Sequence, residues 1–295
     1  LNKPALTAVV EIDEGDTVGQ VADKLEEQGL IEYKMVFKLF CSLTHTSGKA
    51  GEEGAKITPG TYELNTDMDY HALIAGMRSS SGNLSAETVT VTIPEGYTVR
   101  QTIALLAEKG VNTEEALTEA AQTGDFDYDF IDNESEDLSR LEGFLFPDTY
   151  EFYQGEQASN AINRFLLNFH GKLTADMYAQ AESLNITLHQ AVIIASMIES
   201  EAANDAERAN IASVIYNRLA ADMPLQIDAT VMYALGEHKE FLTEADLQVD
   251  SPYNTYLHTG LPAGPICNPG LASLNAALQP SNTDYLYYAL DTATG

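Results

Sequence analysis

The sequence predicts an α+β protein, with two small strand-helix repeats followed by a mainly helical C-terminal domain. Three observations carry that expectation. The chain repeats itself at an offset that places Ile12 on Ile93, helical signals dominate from Ala158 onward, and 295 residues with 44% hydrophobic content can bury more than one core. The expected boundaries are 1–86 for the first repeat unit, 87–155 for the second and 156–295 for the C-terminal domain.

The repeat aligns IDEGDTVGQVADKLEEQG, Ile12 to Gly29, with IPEGYTVRQTIALLAEKG, Ile93 to Gly110, and keeps Glu14/Glu95, Gly15/Gly96, Thr17/Thr98, Gln20/Gln101 and Gly29/Gly110 identical. Each copy spells a short strand, a Gly turn, a Thr N-cap with Gln three residues later as a capping box, an amphipathic helix and a C-terminal Gly. PGTYEL, Pro59 to Leu64, and PDTYEF, Pro147 to Phe152, alternate like strands and close the two repeats, with Tyr62 and Tyr150 expected as packed strand residues. Asp125 to Glu136 is acidic and is expected as an exposed loop without chemistry.

In the helical half, Thr187 and Gln190 form another capping box, and AVIIASMI, Ala191 to Ile198, carries no charge, so this helix must be buried. It runs into Glu199, one turn beyond Ala195 and on the face of Val192 and Ser196. A carboxyl held against apolar surface favours its protonated form, which is what a glycosidic leaving oxygen requires. Glu201 lies two positions on, about 200° around the helix, and points elsewhere. The residues alone leave open that both glutamates only mark where the buried helix meets solvent. Further candidates follow: Asn217 in ASVIYNRL, Gln226 and Asp228 in MPLQIDATVMYALG, and Tyr253 and Asn254 in SPYNTY. The Pro/Gly-rich stretch Gly260 to Leu278 is expected as an irregular loop of the kind that lines sites, although caps and turns account for each residue taken singly.

Composition excludes some functions. Fifteen Lys+Arg against 45 Asp+Glu give a net charge of −30, which repels nucleic acid. Cys41 and Cys267 are too few and too distant for a disulfide framework or zinc site, so both are expected as buried thiols. No metal cluster or phosphate-binding Gly loop is visible, so no metal and no cofactor is expected. No uninterrupted apolar run of about 18 residues exists, and any signal or membrane anchor is expected to lie outside the chain.

The repeats resemble LysM-like modules. The segments EGFLFPDTYEF, IIASMIESEA, ASVIYNRL, PLQIDATVMYALG, SPYNTY and GLPAGPICNPGLASLNAAL, from Gly143 to about Tyr288, resemble the YceG-like (MltG) family of endolytic murein transglycosylases. The resemblance implies LysM-like repeats ahead of a lysozyme-like catalytic domain. It also implies cleavage of the β-1,4 bond between N-acetylmuramic acid and N-acetylglucosamine in peptidoglycan glycan strands, leaving a 1,6-anhydro end. The family's acid/base residue falls on Glu199, with Asn217, Gln226, Asp228, Tyr253 and Asn254 as the candidate substrate-binding lining and Glu201 and Ser196 in support. One carboxylate suffices for such a lyase, because the muramyl C6 hydroxyl attacks within its own sugar. Ala229 stands where the family commonly has Pro and Ile227 where it has a small polar residue, and a terminal His-containing motif is expected beyond Gly295. Implied partners are glycan strands and the peptidoglycan synthases of the elongation machinery, on the extracytoplasmic face of the plasma membrane, with anchoring only through an N-terminal helix outside this chain. Two other readings stay open: a muramidase pairing Glu199 with Asp228, and a non-catalytic peptidoglycan-binding module.

Overall fold

In the computed structural model, which describes residues 6–52, 54–78, 82–84 and 87–288, the repeat becomes two strand pairs. Strand β1 (Thr7–Ile12) pairs antiparallel with β2 (Gly60–Asn65), Ile12 opposite Gly60 and Thr7 opposite Asn65. Between them lie α1 (Val18–Glu27) and α2 (Lys34–Leu43), and α3 (Tyr70–Arg78) follows β2. Strand β3 (Thr88–Thr92) pairs with β4 (Thr149–Tyr153), enclosing α4 (Val99–Glu108), α5 (Glu114–Thr123) and a 3-10 turn at Leu138–Leu141.

The two copies share their local geometry. The Gln20 N–H donates to Thr17 Oγ1 at 3.3 Å and the Thr17 N–H to Gln20 Oε1 at 2.9 Å, and Thr98 with Gln101 repeats both distances. Each box satisfies two N–H groups that a helix start leaves without partners. The matched glycines take left-handed φ in both copies, +86° and +80° at Gly15 and Gly96, +72° and +77° at Gly29 and Gly110.

The chain divides into two units. The first is Leu1–Thr90, Lys109–Asn112 and Glu151–Ala158, and the second is Val91–Glu108, Thr113–Tyr150 and Ser159–Gly295. The helix of the second repeat, α4, therefore falls within the second unit. In the first unit the inward residues of the strands, Val10, Ile12, Tyr62 and Leu64, meet Val21 and Leu25 of α1, Phe37 and Cys41 of α2, and Leu73 and Met77 of α3. Tyr62 is a packed strand residue, its hydroxyl sharing a 2.6 Å hydrogen bond with that of Thr58.

The second unit adds α6 (Ala158–Lys172), α7 (Ala175–Ser183), α8 (Leu188–Glu201), α9 (Asp205–Ala220), α10 (Asp228–Leu235) and α11 (Leu271–Leu278). Helix α8 is its axis: α7, α9, α10 and α11 all pack against it. Every residue from Ala191 to Ile198 is buried, as the absence of charge required. Its larger apolar side chains contribute about 2 kcal/mol each by leaving water. Both cysteines are buried free thiols.

The acidic segment departs from expectation. Its carboxylates face outward, but the alternating aromatic residues turn in: Phe126 and Ile131 are buried, and Phe130 packs on Phe144 and Phe169 at 5.2 and 5.0 Å between ring centroids. The buried Arg140 secures it, donating to the Ala121 and Gly124 carbonyls and lying over the Phe126 ring. Net charge hid a period-two apolar pattern. No helix among the described residues is long and apolar enough to cross a membrane.

Gly143 shows how closely α8 is approached. At φ +88°, a Cβ there would lie 2.6 Å from Val192 Cγ1 and 2.7 Å from Pro265 Cγ, whereas at Gly236, φ +72°, it would meet open space. Gly143→Ala should cost about 3 kcal/mol or more in chemical denaturation and Gly236→Ala about 1 kcal/mol. Equal losses would mean that backbone conformation alone, and not packing on α8, demands glycine at 143.

Candidate active site

The two carboxylates at the end of α8 diverge, as their spacing required, and meet different surroundings. Glu199, its side chain 7% exposed, pairs with the Arg208 guanidinium at 3.2 Å and accepts the Gly270 N–H, at the start of α11, at 3.0 Å. Arg208 also holds Asp205 at 2.9 Å and donates to Ser273 Oγ. The surroundings of Glu199 are thus a guanidinium and a helix N-terminus, both suited to an anion, and not the apolar wall expected from its own helix. The reason is tertiary: α9 and α11 bring donors that periodicity along α8 does not reveal. Glu95, from the second repeat, lies beside Gly270, and burial together with the Glu199 charge holds its carboxyl above the usual range.

Glu201 instead lines a cavity of about 330 Å3 with Arg218, Gln226, Asp228, Tyr256 and Tyr288 over an apolar floor that includes Val214 and Ile215. Burial pushes its carboxyl up, Asp228 adds to that, and the Tyr288 hydroxyl, donating to Oε2 at 3.1 Å, works against it. The structure therefore brings Glu201, Gln226 and Asp228 together around one cavity, and Glu199 does not line it.

The walls are held by side chains that spend their polar groups on backbone. Arg218, buried on α9, donates to the Leu225 and Leu286 carbonyls at 2.6 and 2.7 Å and lies 4.8 Å from the Tyr287 ring centroid. Asn217 donates to the Thr283 and Tyr285 carbonyls at 2.8 and 2.9 Å. Its amide is a clamp on the C-terminal segment, and Asn217 does not line the cavity. Asn254 is committed likewise: fully buried, it donates to the Leu247 and Val249 carbonyls at 3.0 and 2.9 Å and accepts the Tyr256 N–H. Tyr253 does not line the cavity either, because its ring packs on Tyr233 at 4.8 Å.

Gln226 and Asp228 do reach it. Gln226 is exposed and takes φ +51°, a left-handed conformation that costs a non-glycine residue about 1 kcal/mol or more, while its N–H donates to the Thr255 carbonyl at 3.1 Å. Ile227 N–H and Thr230 Oγ1 both engage Thr255 Oγ1, so SPYNTY buttresses the turn into α10. Asp228 accepts a hydrogen bond from the Tyr256 hydroxyl. Ser196 accepts the Ile266 N–H at 3.1 Å and donates to the Ile193 carbonyl, fastening the Pro/Gly-rich loop to α8.

Sequence reasoning missed Arg208, Arg218, Glu95, Tyr256, Tyr288 and Glu142. Arg218 and Tyr256 sat inside segments already singled out, and Glu95 inside the repeat, so a search of those segments for charged and phenolic groups could have found them. Nothing local marks Tyr288. Glu142 is 2% exposed and accepts the Val99 N–H at 3.0 Å and the Tyr233 hydroxyl at 3.1 Å, joining the start of α4 to α10, and burial pushes its carboxyl up to about 8.

The chain as a whole is similar to known proteins. The family model described as the YceG-like family matches residues 10–295. An endolytic murein transglycosylase of Bacillus subtilis is 32% identical over 292 residues, covering 96% of this chain and 78% of that protein. Another from Streptococcus pneumoniae is 31% identical over 310 residues, covering 97% of this chain and 54% of its own greater length. A crystal structure of a YceG-like protein from Listeria monocytogenes superposes with a TM-score of 0.60 at 31% identity, covering 97% of this chain and 94% of that one.

Glu142 makes stability depend on pH. Its carboxyl titrates near 8 in the fold against 4.5 for a free one, so the fold binds its proton more tightly. That contribution is complete below about pH 4.5, declines as pH rises toward 8 and is gone above it. Glu142→Gln should flatten this dependence, exceeding the parent by roughly 4 kcal/mol in urea unfolding at pH 8 and matching it near pH 4.5. A variant less stable than the parent at pH 8 would mean that the ionised carboxylate is what the site favours.

Proposed function

The chain belongs to the YceG-like family, and from that premise we propose that it is an endolytic murein transglycosylase, a lyase acting on peptidoglycan glycan strands, with Glu201 as its acid/base residue. One observation carries the choice of glutamate: Glu201 opens on the cavity with its carboxyl raised, whereas Glu199 is engaged by Arg208 and the Gly270 amide. A carboxyl raised toward neutrality is suited to general acid catalysis.

The chemistry then needs one group. Glu201 gives its proton to the glycosidic oxygen as the bond from the muramyl C1 to that oxygen breaks. The C6 hydroxyl of the same muramyl residue closes on C1 and returns its proton to the carboxylate, which ends as it began, with no water consumed. Tethering supplies a high effective concentration of the attacking hydroxyl, and acid/base action adds typically about 10²- to 10⁴-fold. Gln226 and Asp228 supply polar contacts at the cavity.

That Asp228 shares the cavity with Glu201 also supports a second reading, hydrolysis, in which Asp228 activates a water and the product carries that water in place of the anhydro ring. The duplicated capped strand-helix pattern supports reading the repeats as LysM-like modules that position the strand, ahead of a lysozyme-like catalytic domain. A murein substrate puts the site of action on the extracytoplasmic side of the plasma membrane. Anchoring through an N-terminal helix and recruitment by peptidoglycan synthases rest on the family resemblance.

Purified glycan strands digested with the protein and resolved by mass should yield 1,6-anhydromuramyl ends. Glu201→Gln should leave no product and Glu199→Gln a measurable remainder, the two proteins being matched for folded fraction by circular dichroism. The opposite ranking would return the acid/base role to Glu199, and products one water heavier would establish hydrolysis.

A further inference from the structure

We propose that Tyr288 and Asp228 are opposed positioning residues for Glu201: the phenol engages Oε2 and leaves Oε1 to exchange the proton with substrate, while the Asp228 carboxylate on the same cavity disfavours a second negative charge there. This rests on Glu201 being the acid/base residue.

The placement of Tyr288 is built. Residues 283–288 have no regular secondary structure, yet α9 pins them at three carbonyls, Asn217 holding Thr283 and Tyr285 and Arg218 holding Leu286. Stacking of Arg218 on Tyr287 adds a fourth tether, and the next residue is the one whose hydroxyl reaches Glu201. Two buried or half-buried cationic and amide side chains thus deliver one phenol to one carboxylate oxygen. Among the described residues, Glu201 has no ion-pair partner within 4.0 Å, and Tyr288 is the side chain that hydrogen-bonds it.

The charged and titratable groups around Glu201 come from four directions. Tyr288 belongs to the C-terminal segment, Asp228 to α10, Tyr256 to the SPYNTY loop and Arg218 to α9. Arg218 commits its donors to carbonyls, and Tyr256 commits its hydroxyl to Asp228. On α8 itself, Glu199 is turned to Arg208. What remains to act on Glu201 is the donation from Tyr288, which favours its carboxylate, and the charge of Asp228, which favours its acid. An acid/base residue passes through both forms in one turnover. Asp228 supports the half-reaction in which Glu201 gives its proton to the leaving oxygen, and Tyr288 the interval in which it waits as carboxylate for the proton of the C6 hydroxyl. Neither residue forms or breaks a bond, so both are positioning residues.

The test titrates Glu201 directly, by carbon NMR of the full chain carrying 13C-labelled glutamate carboxyls, the Glu201 signal being the one lost in Glu201→Gln. Tyr288→Phe should raise the midpoint and Asp228→Asn should lower it. Tyr288 is 40% exposed, so loss of its hydroxyl spares the fold. On glycan strands the alkaline limb of the kcat profile should move in the same two directions, with kcat falling roughly tenfold in Tyr288→Phe and KM little changed. Midpoints that stay in place, or that move the same way in both variants, overturn the proposal even if Glu201→Gln is inactive. Retained activity in Glu201→Gln overturns the choice of acid/base residue, and with it a role for Tyr288 and Asp228 in proton transfer, whatever the midpoints do.

Discussion

The second unit depends on the desolvation of α8. Eight successive residues without charge, Ala191 to Ile198, cannot face water, so the other helices are gathered around them and the carboxylates of α8 appear only where that packing ends. It ends in two glutamates two positions apart, which helical geometry forces to different sides. A carboxylate at the rim of an apolar core must find donors or rise in pKa. Glu199 meets Arg208 and the Gly270 amide, whereas Glu201, at the edge of a cavity, meets the Tyr288 hydroxyl and is pushed up by burial. The same helix end therefore gives its two carboxylates different surroundings, one an ion pair with a backbone amide and the other a cavity.

The cavity is closed between helices by irregular chain, and irregular chain has carbonyls and amides without ladder partners. Asn217, Arg218, Asn254, Thr255 and Ser196 supply those partners, which accounts for the polar residues buried near the site. These side chains hold the backbone on which Gln226, Asp228, Tyr256 and Tyr288 are carried. Removing one would leave several buried backbone groups unsatisfied, at about 1–3 kcal/mol for each.

The internal repeat shows one local code with two uses. Caps, turns and closing strands recur in both copies. Glu14, in the first unit, lies beside Gly51, whereas its counterpart Glu95 lies beside Gly270 and feels the Glu199 charge. Duplicated residues kept their backbone roles, and their side chains acquired different neighbours.

What the sequence by itself determined is everything set within a few residues: the capping boxes at Thr17, Thr98 and Thr187, the glycine turns, the buried run of α8 and the 200° divergence of Glu199 and Glu201. Even there net charge misled, since the Asp-aromatic alternation near Phe126 is anchored and not merely exposed. What only the tertiary structure decided is which glutamate faces the cavity and which polar residues line it. Helical periodicity gives the angle between two side chains but not the phase of the helix against its neighbours. That phase is set by partners such as Gly270 and Tyr288, 71 and 87 residues away along the chain from the carboxylates they meet. No local rule links residues so far apart, because their meeting is a property of packing and not of the backbone between them.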